Sequence, residues 1–102
     1  MPNRDDETLD RAAGMLRAAG DEGRMRILAV LLDRDEASVS ELAEATRSDP
    51  STTSHRLRVL LSESLVVRRA EGRTRLYALA DRHVRSLVEN VLEHADRSVT
   101  LT

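Results

Sequence analysis

Two of the chain's three histidines lie on its last predicted helix, and histidine is the side chain that most often binds metal ions. His83 and His94 are eleven positions apart in the segment DRHVRSLVENVLEHADR, residues 81–97. Eleven residues make about three helical turns, so both rings point to nearly the same side, but they stand ~16 Å apart along the axis. No single ion or substrate atom can therefore contact both histidines of one chain.

The composition limits the kind of protein that positions these histidines. The 102 residues suit one domain with one modest core. The absence of cysteine excludes disulfides, thiolate metal sites and cysteine redox chemistry. The acidic start MPNRDDETLD is unlike a secretory signal, and the longest apolar run, ILAVLL, is too short to cross a bilayer. We expect a soluble, cytoplasmic protein with no membrane partner.

Charge is distributed unevenly along the chain, although the formal net charge is only −2. Residues 50–80 carry six arginines against two glutamates, whereas the segments before and after them are both net acidic. A basic island in an acidic chain is typical of an anion-binding face.

Two helices are predicted near the N-terminus from apolar residues at helical spacing. The first spans about residues 5–20 and ends at Gly20, and its apolar side is most simply a core surface. The second has Asp21 as its N-cap. The apolar positions of the two helices are Leu9, Ala12, Ala13, Leu16 and Ala19, then Ile27, Leu28, Leu31 and Leu32.

Two short helices joined by a polar break are predicted over residues 38–63. Ser38 and Glu41 have the spacing of a capping box, which starts the first of them. After the break RSDP, Asp49 as N-cap and Pro50 at the first helical position start the second. This order predicts a helix-turn-helix. Its expected core residues are Val39, Leu42, Ala43, Thr53, Leu57, Leu60 and Leu61.

The side of the second helix that faces away from the core is rich in hydroxyl and basic side chains. Short hydroxyl side chains let a helix approach base edges closely, and arginine can bind phosphates or guanine. An ordinary solvated helix face is the alternative interpretation. The residues predicted to contact DNA here are Ser51, Thr52, Ser54, His55, Arg56 and Arg58.

A basic β-hairpin is predicted directly after this helix, over residues 65–79. Two runs of β-branched and apolar residues flank AEGR, which places the turn at Glu71–Gly72. A hairpin in this position is a wing, and its arginines suit contacts with phosphates or the minor groove. The arginines assigned to DNA here are Arg68, Arg69, Arg73 and Arg75.

With these motifs in this order, the chain resembles the ArsR/SmtB family of winged-helix repressors over about residues 9–97. GDEGRMRIL is similar to the family's helix start Gly-Asp-Pro-x-Arg-x-x-Ile-Leu, and STTSHRLRVL followed by LVVRRAEGRTRLY resembles its recognition helix and wing. The matching positions are Gly20, Asp21, Arg24, Ile27, Leu28, Ser51, Ser54, His55, Leu57, Leu60, Gly72, Arg73 and Tyr77.

The resemblance implies a mainly α domain with a small β-hairpin (α+β), spanning residues 1–102 as one winged helix-turn-helix unit. It implies a homodimer formed through the first and last helices, about residues 5–20 and 81–97. It further implies a repressor, not an enzyme, that binds double-stranded operator DNA until a ligand releases it.

In a homodimer, His83 and His94 could each meet a histidine of the other chain. The last helix has an apolar stripe suited to a dimer seam, and antiparallel pairing would bring His83 of one chain to His94 of the other, in two equivalent sites. Asp81 can join them, because an N-cap side chain can turn inward. The stripe consists of Val84, Leu87, Val88, Val91, Leu92 and Ala95.

Asp81, His83 and His94 match the arrangement of the family's zinc and cobalt sensors, in which nitrogen and oxygen ligands form a tetrahedral site. The resemblance thus implies release of DNA when zinc binds, with cobalt or nickel as alternative ions. Arg97 departs from the pattern, because the family has His or Glu there and a guanidinium cannot ligate a cation. The fourth ligand is therefore unknown, and a repressor that binds no metal is the alternative.

Two other classes of protein are alternatives to a repressor. A metal-dependent hydrolase would need a nucleophile and a base in reach of each other, but the adjacent Ser54 and His55 diverge by about 100° on a helix. A protein-interaction module without DNA affinity is the second alternative, which salt-dependent binding to duplex DNA would exclude.

Overall fold

The computed structural model describes residues 4–100, with side chains for residues 4–96. The elements run α1 (Asp6–Ala19), α2 (Glu22–Arg34), α3 (Val39–Thr46), α4 (Pro50–Ser62), β1 (Val66–Glu71), β2 (Thr74–Leu79) and α5 (Arg82–Thr100). β1 and β2 form an antiparallel two-stranded sheet. The predicted mainly α domain with a winged helix-turn-helix is confirmed. No helix among the described residues is long and apolar enough to cross a membrane.

Helices α2, α3, α4 and α5 begin where the sequence predicts, because each has a side chain that accepts a hydrogen bond from its first turn. The carboxylate of Asp21 accepts from the Arg24 amide at 3.0 Å. Ser38 and Glu41 form both bonds of the capping box, at 3.2 and 2.8 Å. These bonds satisfy amides that have no partner inside the helix, so they fix where α2 and α3 start.

The core forms around α2, which packs against α1, α3, α4, α5 and β2. Of the four apolar residues predicted to face inward on α2, Ile27, Leu28 and Leu31 are fully buried and Leu32 is half-buried. The fully buried core residues are Ile27, Leu28, Leu31, Leu42, Leu57, Leu60, Leu65, Val66, Val88 and Thr53. Thr53 satisfies its hydroxyl by donating to the carbonyl of Asp49 at 2.9 Å, so its burial leaves no polar atom without a partner.

The hairpin turn lies one residue further along than the sequence predicts. Glu71 pairs with Thr74, which leaves Gly72 and Arg73 as the two turn residues instead of Glu71 and Gly72. Gly72 has φ +62°, a value that glycine adopts without steric cost. A turn that starts at glycine assigns the left-handed conformation to the residue that tolerates it best.

The outer helices are less buried than the apolar patterns suggest. In α1 the core side is formed by Gly14, Ala18 and Ala19, whereas Leu9 and Leu16 are 53% and 58% exposed. The interpretation of the α1 apolar stripe as a core surface of its own chain holds for Ala19 but not for these two leucines, nor for Ala12 and Ala13, which are also exposed. In α5, Val84 and Val88 are buried but Val91 is 44% exposed. The Ala95 side chain is also exposed, and those of Leu87 and Leu92 are half-buried.

Candidate nucleic-acid interface and C-terminal histidines

Asp49 sets the start of α4 and the direction in which its side chains point. Its carboxylate accepts hydrogen bonds from the amide and the hydroxyl of Thr52, at 2.7 and 2.9 Å. These bonds, led by that from the backbone amide, lower the pKa of Asp49. Pro50 occupies the first turn of α4, where its missing N–H costs nothing. The Thr52 hydroxyl, predicted to contact DNA, is thus already used in capping.

Four of the six residues predicted on α4 share one outward side. Ser51, Ser54, His55 and Arg58 fall within an arc of about 100° on a helix. The side chain of Ser54 is half-buried and the other three are exposed. The buried side of the same helix is formed by Thr53, Leu57 and Leu60. The core therefore fixes the orientation in which α4 presents this polar side to solvent.

The side chain of Arg56 does not lie on this outward side of α4. It is half-buried, and its Nη1 atom donates to the hydroxyl of Ser48 at 2.8 Å, in the turn between α3 and α4. The guanidinium lies over Gly23 of α2, where an added Cβ would come within 2.6 Å of Nη2. The structure thus places this residue, predicted to contact DNA, in a contact within the protein.

Arg68 and Arg75 project from the side of the wing that faces the body of the protein. Arg68 pairs with Tyr77, and Arg75 lies two residues before Tyr77 on β2. Side chains two positions apart and directly paired side chains share one face of a sheet, and Tyr77 is buried. Arg73 lies in the turn at the tip. All three arginines are exposed.

The wing, α4 and the start of α3 together line one polar groove of about 400 Å³. Ser54 of α4 lines this groove together with Arg73 and Arg75 of the wing, although about twenty residues separate them in the sequence. A groove lined by hydroxyls and arginines suits a polyanion. Its polar lining residues are Ser38, Ser40, Ser54, Arg73, Thr74, Arg75 and Tyr77.

Arg69 lies on the opposite face of the wing and forms ion pairs there. Its guanidinium donates to both carboxylate oxygens of Glu36, at 2.6 and 2.9 Å, and to Glu71 at 2.8 Å. Hydrogen bonds to Glu36 and then to Glu71 raise the pKa of Arg69, and its donation lowers the pKa of Glu36. The guanidinium of Arg69 is therefore engaged in ion pairs within the protein.

Asp81 and His83 are neighbours at the start of α5. Asp81 Oδ1 accepts from the amide of Val84 at 2.9 Å, the predicted capping role, and lies 3.8 Å from His83 Nδ1. Both side chains are open to solvent, at 56% and 82% of their area. His94 is eleven residues further along the same helix, ~16 Å away by helical rise. Among residues with described side chains, 4–96, no three potential ligands come together. The side chain of Arg97 lies outside that range.

An apolar surface lies between α1 and α5. Leu16 and Val91 border a recess of about 150 Å³ whose walls are almost wholly apolar. Leu87 also lines it, and His83 and His94 fall on the adjoining side of α5 at helical spacing. The recess is lined by Leu16, Ala19, Gly20, Met25, Leu28, Leu65, Leu87, Val88 and Val91.

Comparison with known proteins decides the family. Residues 21–67, which run from the α2 cap into β1, match the model of the bacterial regulatory protein, arsR family. The chain is 39% identical over 94 residues to the transcriptional repressor SmtB homolog of Synechocystis, covering 89% of this chain and 70% of that protein. The chain belongs to the ArsR/SmtB family of transcriptional regulators.

Two further relatives support this assignment. The cadmium resistance transcriptional regulatory protein CadC homolog of Staphylococcus aureus is 35% identical over 80% of this chain and 68% of its own length. The homodimeric winged helix-turn-helix DNA-binding domain of Mycobacterium bovis Mb0332, a possible ArsR-family regulator, superimposes with a TM-score of 0.83 at 32% identity. That match covers 94% of this chain and 91% of the domain. Homologues and fold are those of DNA-binding regulators and not of enzymes.

Proposed function

We propose that this ArsR/SmtB-family regulator is a cytoplasmic repressor that binds double-stranded operator DNA as a homodimer. The observation that carries the proposal is the shared groove of α4 and the wing, which is lined by Ser54 together with Arg73 and Arg75. α4 would enter the major groove with Ser51, Ser54, His55 and Arg58, and the wing would contact the flanking backbone through Arg68, Arg73 and Arg75.

The exposed apolar residues of α1 and α5 support the homodimer. Leu9, Leu16 and Val91 are among the most exposed large apolar side chains of the described residues. A second copy that packs its α1 and α5 here would remove this surface from water, which is the main favourable contribution to protein association. The Mb0332 domain, which shares the fold, is a homodimer.

The dimer would also complete a metal site. Asp81 and His83 of one subunit supply a carboxylate and an imidazole 3.8 Å apart, and His94 of the partner subunit would join them if the α5 helices run antiparallel. Capping uses Asp81 Oδ1 and leaves its second oxygen as a possible ligand. Without cysteine, this donor set suits zinc, with cobalt or nickel as alternatives. A bound ion would supply a cross-link between the two α5 helices.

The cross-link would act on DNA binding through the arrangement of the dimer. The α5 ligands come from two chains, so they come into reach of one another only in dimers with a particular angle between the subunits. If that angle moves the two α4 helices off the ~34 Å spacing of successive major grooves, operator affinity falls. Typical coupling energies correspond to a loss of ~5–150-fold.

Gel-shift titration on the DNA upstream of the chain's own coding sequence tests this function. We expect a specific complex without metal and its dissociation by zinc, cobalt or nickel. Absence of a complex with this DNA and with unrelated duplexes would contradict the DNA-binding role. A complex that persists at saturating metal would contradict only the sensing role.

A repressor that binds no metal is the second candidate, and Arg97 favours it. The position carries a permanent positive charge where the family has a ligand. Calorimetric zinc titration separates the two candidates. Stoichiometric binding of about one ion per subunit supports the metal site, and the absence of binding supports the repressor without a cofactor.

A further inference from the structure

We propose that Arg56 is a positioning residue that holds α4 against the start of α2 and does not itself contact DNA. The inference rests on the proposed operator binding, because its consequence is the orientation of the DNA-contacting helix. Arg56 donates a hydrogen bond to Ser48 in the turn between α3 and α4, and its guanidinium lies against Gly23 of α2. Arg58, two residues later, is exposed on the outward side.

Glycine at position 23 makes room for the Arg56 guanidinium. A Cβ at that position would lie 2.5 Å from Nε and 2.6 Å from Nη2 of Arg56. Such distances are far inside van der Waals contact, so any other residue at position 23 would force the guanidinium to move. The close approach also seats Nη1 at 2.8 Å from the Ser48 hydroxyl. Arg56 therefore contacts the first turn of α2 and the turn before α4 at once.

The local charges favour this location despite the helix dipole. The first turn of a helix carries a partial positive charge that repels a cation. The carboxylate of Asp21, the α2 N-cap, compensates for it. The Arg24 amide bond chiefly lowers the pKa of Asp21, and the charges of Arg24 and then Arg56 add to this effect. The Asp21 carboxylate thus caps the start of α2 and also attracts the Arg56 guanidinium of α4.

The same carboxylate connects α4 to the dimer helix α1. Arg24, whose amide Asp21 caps, donates from Nε to the Ala18 carbonyl at 2.7 Å and from Nη2 to the Arg17 carbonyl at 3.4 Å. The contacts therefore run from the end of α1 through the start of α2 to Arg56. Because α1 carries part of the exposed apolar surface, loss of the Arg56 contact would loosen α4 relative to the dimer axis.

A thermal-unfolding cycle tests the contact without DNA. In wild type, Gly23→Ala should stabilise the protein less than in the Arg56→Ala background, because in wild type Cβ displaces the guanidinium. In the Arg56→Ala background the same change should raise Tm by up to about 4 °C, since alanine favours helix over glycine and the space is empty. This difference between the two backgrounds, at equal protein concentration, is the expected result. An equal shift in both backgrounds would overturn the proposed contact.

Measuring DNA affinity across a salt series tests whether Arg56 positions α4 or contacts DNA itself. Arg56→Ala should weaken binding to the upstream operator about three- to tenfold, the size expected for one lost orienting hydrogen bond, with the wild-type slope of log K against log [salt]. The matched variant Arg58→Ala should reduce that slope by about 0.9, as expected for a lost phosphate contact. Arg56→Lys keeps the charge but not the planar donor group, so it should not restore affinity.

A slope reduced by Arg56→Ala as much as by Arg58→Ala, or full rescue by Arg56→Lys, would overturn the proposal. Wild-type affinity in Arg56→Ala would overturn it too. If the wild-type protein shows no salt-dependent binding to any duplex, the proposed function fails. The unfolding cycle then still decides whether Arg56 and Gly23 are coupled.

Discussion

Arg69 and Glu36 form a two-point ion pair, with distances of 2.6 and 2.9 Å, although they are 33 residues apart in the sequence. Next to this pair, Ala37 and Tyr77 exchange backbone hydrogen bonds of 3.0 and 2.8 Å. The segment between α2 and α3 is thereby joined to both strands of the wing. The wing is held to the body by both strands, so its inner arginines keep a fixed position relative to α4.

Arg69 and Arg75 should respond differently to substitution. Arg75→Ala removes a proposed phosphate contact, so it should weaken binding to all duplexes and reduce the salt slope by about 0.9. Arg69→Ala should leave the slope at the wild-type value, because the guanidinium is engaged by Glu36 and Glu71. Fluorescence anisotropy across a salt series measures both. A reduced slope in Arg69→Ala would show that the arginine leaves its ion pairs to bind DNA.

Val91→Glu should convert the dimer into monomers. A carboxylate at the seam would be buried without a partner, which we expect to weaken dimerisation more than about 100-fold. Val67→Glu is a matched control, because Val67 on the outer face of the wing is 48% exposed against 44% for Val91. Sedimentation velocity should find Val67→Glu dimeric. Dimeric Val91→Glu would contradict a seam at α5.

Acid should destabilise the protein through its capping carboxylates. The pKa of Asp49 is lowered from its ordinary 3.8, chiefly by the Thr52 amide bond. A lowered folded-state pKa contributes stability that is present above pH 3.8 and is lost as pH falls through the folded-state value. Asp49→Asn keeps a capping acceptor but cannot titrate, so its Tm should fall less steeply below about pH 4.

Thermal scans between pH 7 and pH 3 measure this effect. Asp10→Asn, at an exposed aspartate that caps no helix, controls for the loss of one negative charge. The capping explanation is wrong if Asp49→Asn and wild type lose stability in parallel down to pH 3.

Zinc binding should require one histidine from each subunit. His83→Gln and His94→Gln should each abolish stoichiometric zinc binding and release of DNA by zinc, whereas His55→Gln, on α4, should still bind zinc. Mixed dimers of the His83→Gln and His94→Gln chains would regain one intact site of the two. Calorimetry on the refolded mixture should therefore recover about half a site per heterodimer subunit. No recovery in heterodimers would contradict a site shared between chains.

The starts of α2, α3 and α4 could be predicted from sequence because their cause is local. The bonds of Asp21, Ser38, Glu41 and Asp49 each span three residues, so residue types at fixed spacing suffice to identify them. The hairpin turn is also local, but its position was missed by one residue. Glycine suits more than one position in a turn, and the strand register that decides between them depends on which side chains the core buries.

The direction of each arginine could not be predicted in the same way. Arg56 and Arg69 were assigned to DNA because they are basic residues in a basic segment. Their partners, Ser48 and Glu36, come into reach only once α4 and the wing have packed. Leu16 is a similar case, since periodicity shows that a helix has an apolar side but not whether that side meets its own core. The contact of Arg56 with Gly23 is equally non-local, because 33 residues separate them in the sequence.

Footprinting of the protein on its upstream DNA tests most directly whether two α4 helices of one dimer enter successive major grooves. We expect two protected major-groove patches on one face of the duplex, separated by about 10–10.5 base pairs or a whole multiple of that distance, with flanking backbone protection by the wings. Arg58→Ala should weaken both patches equally. A single patch, or two patches on opposite faces of the duplex, would contradict the account.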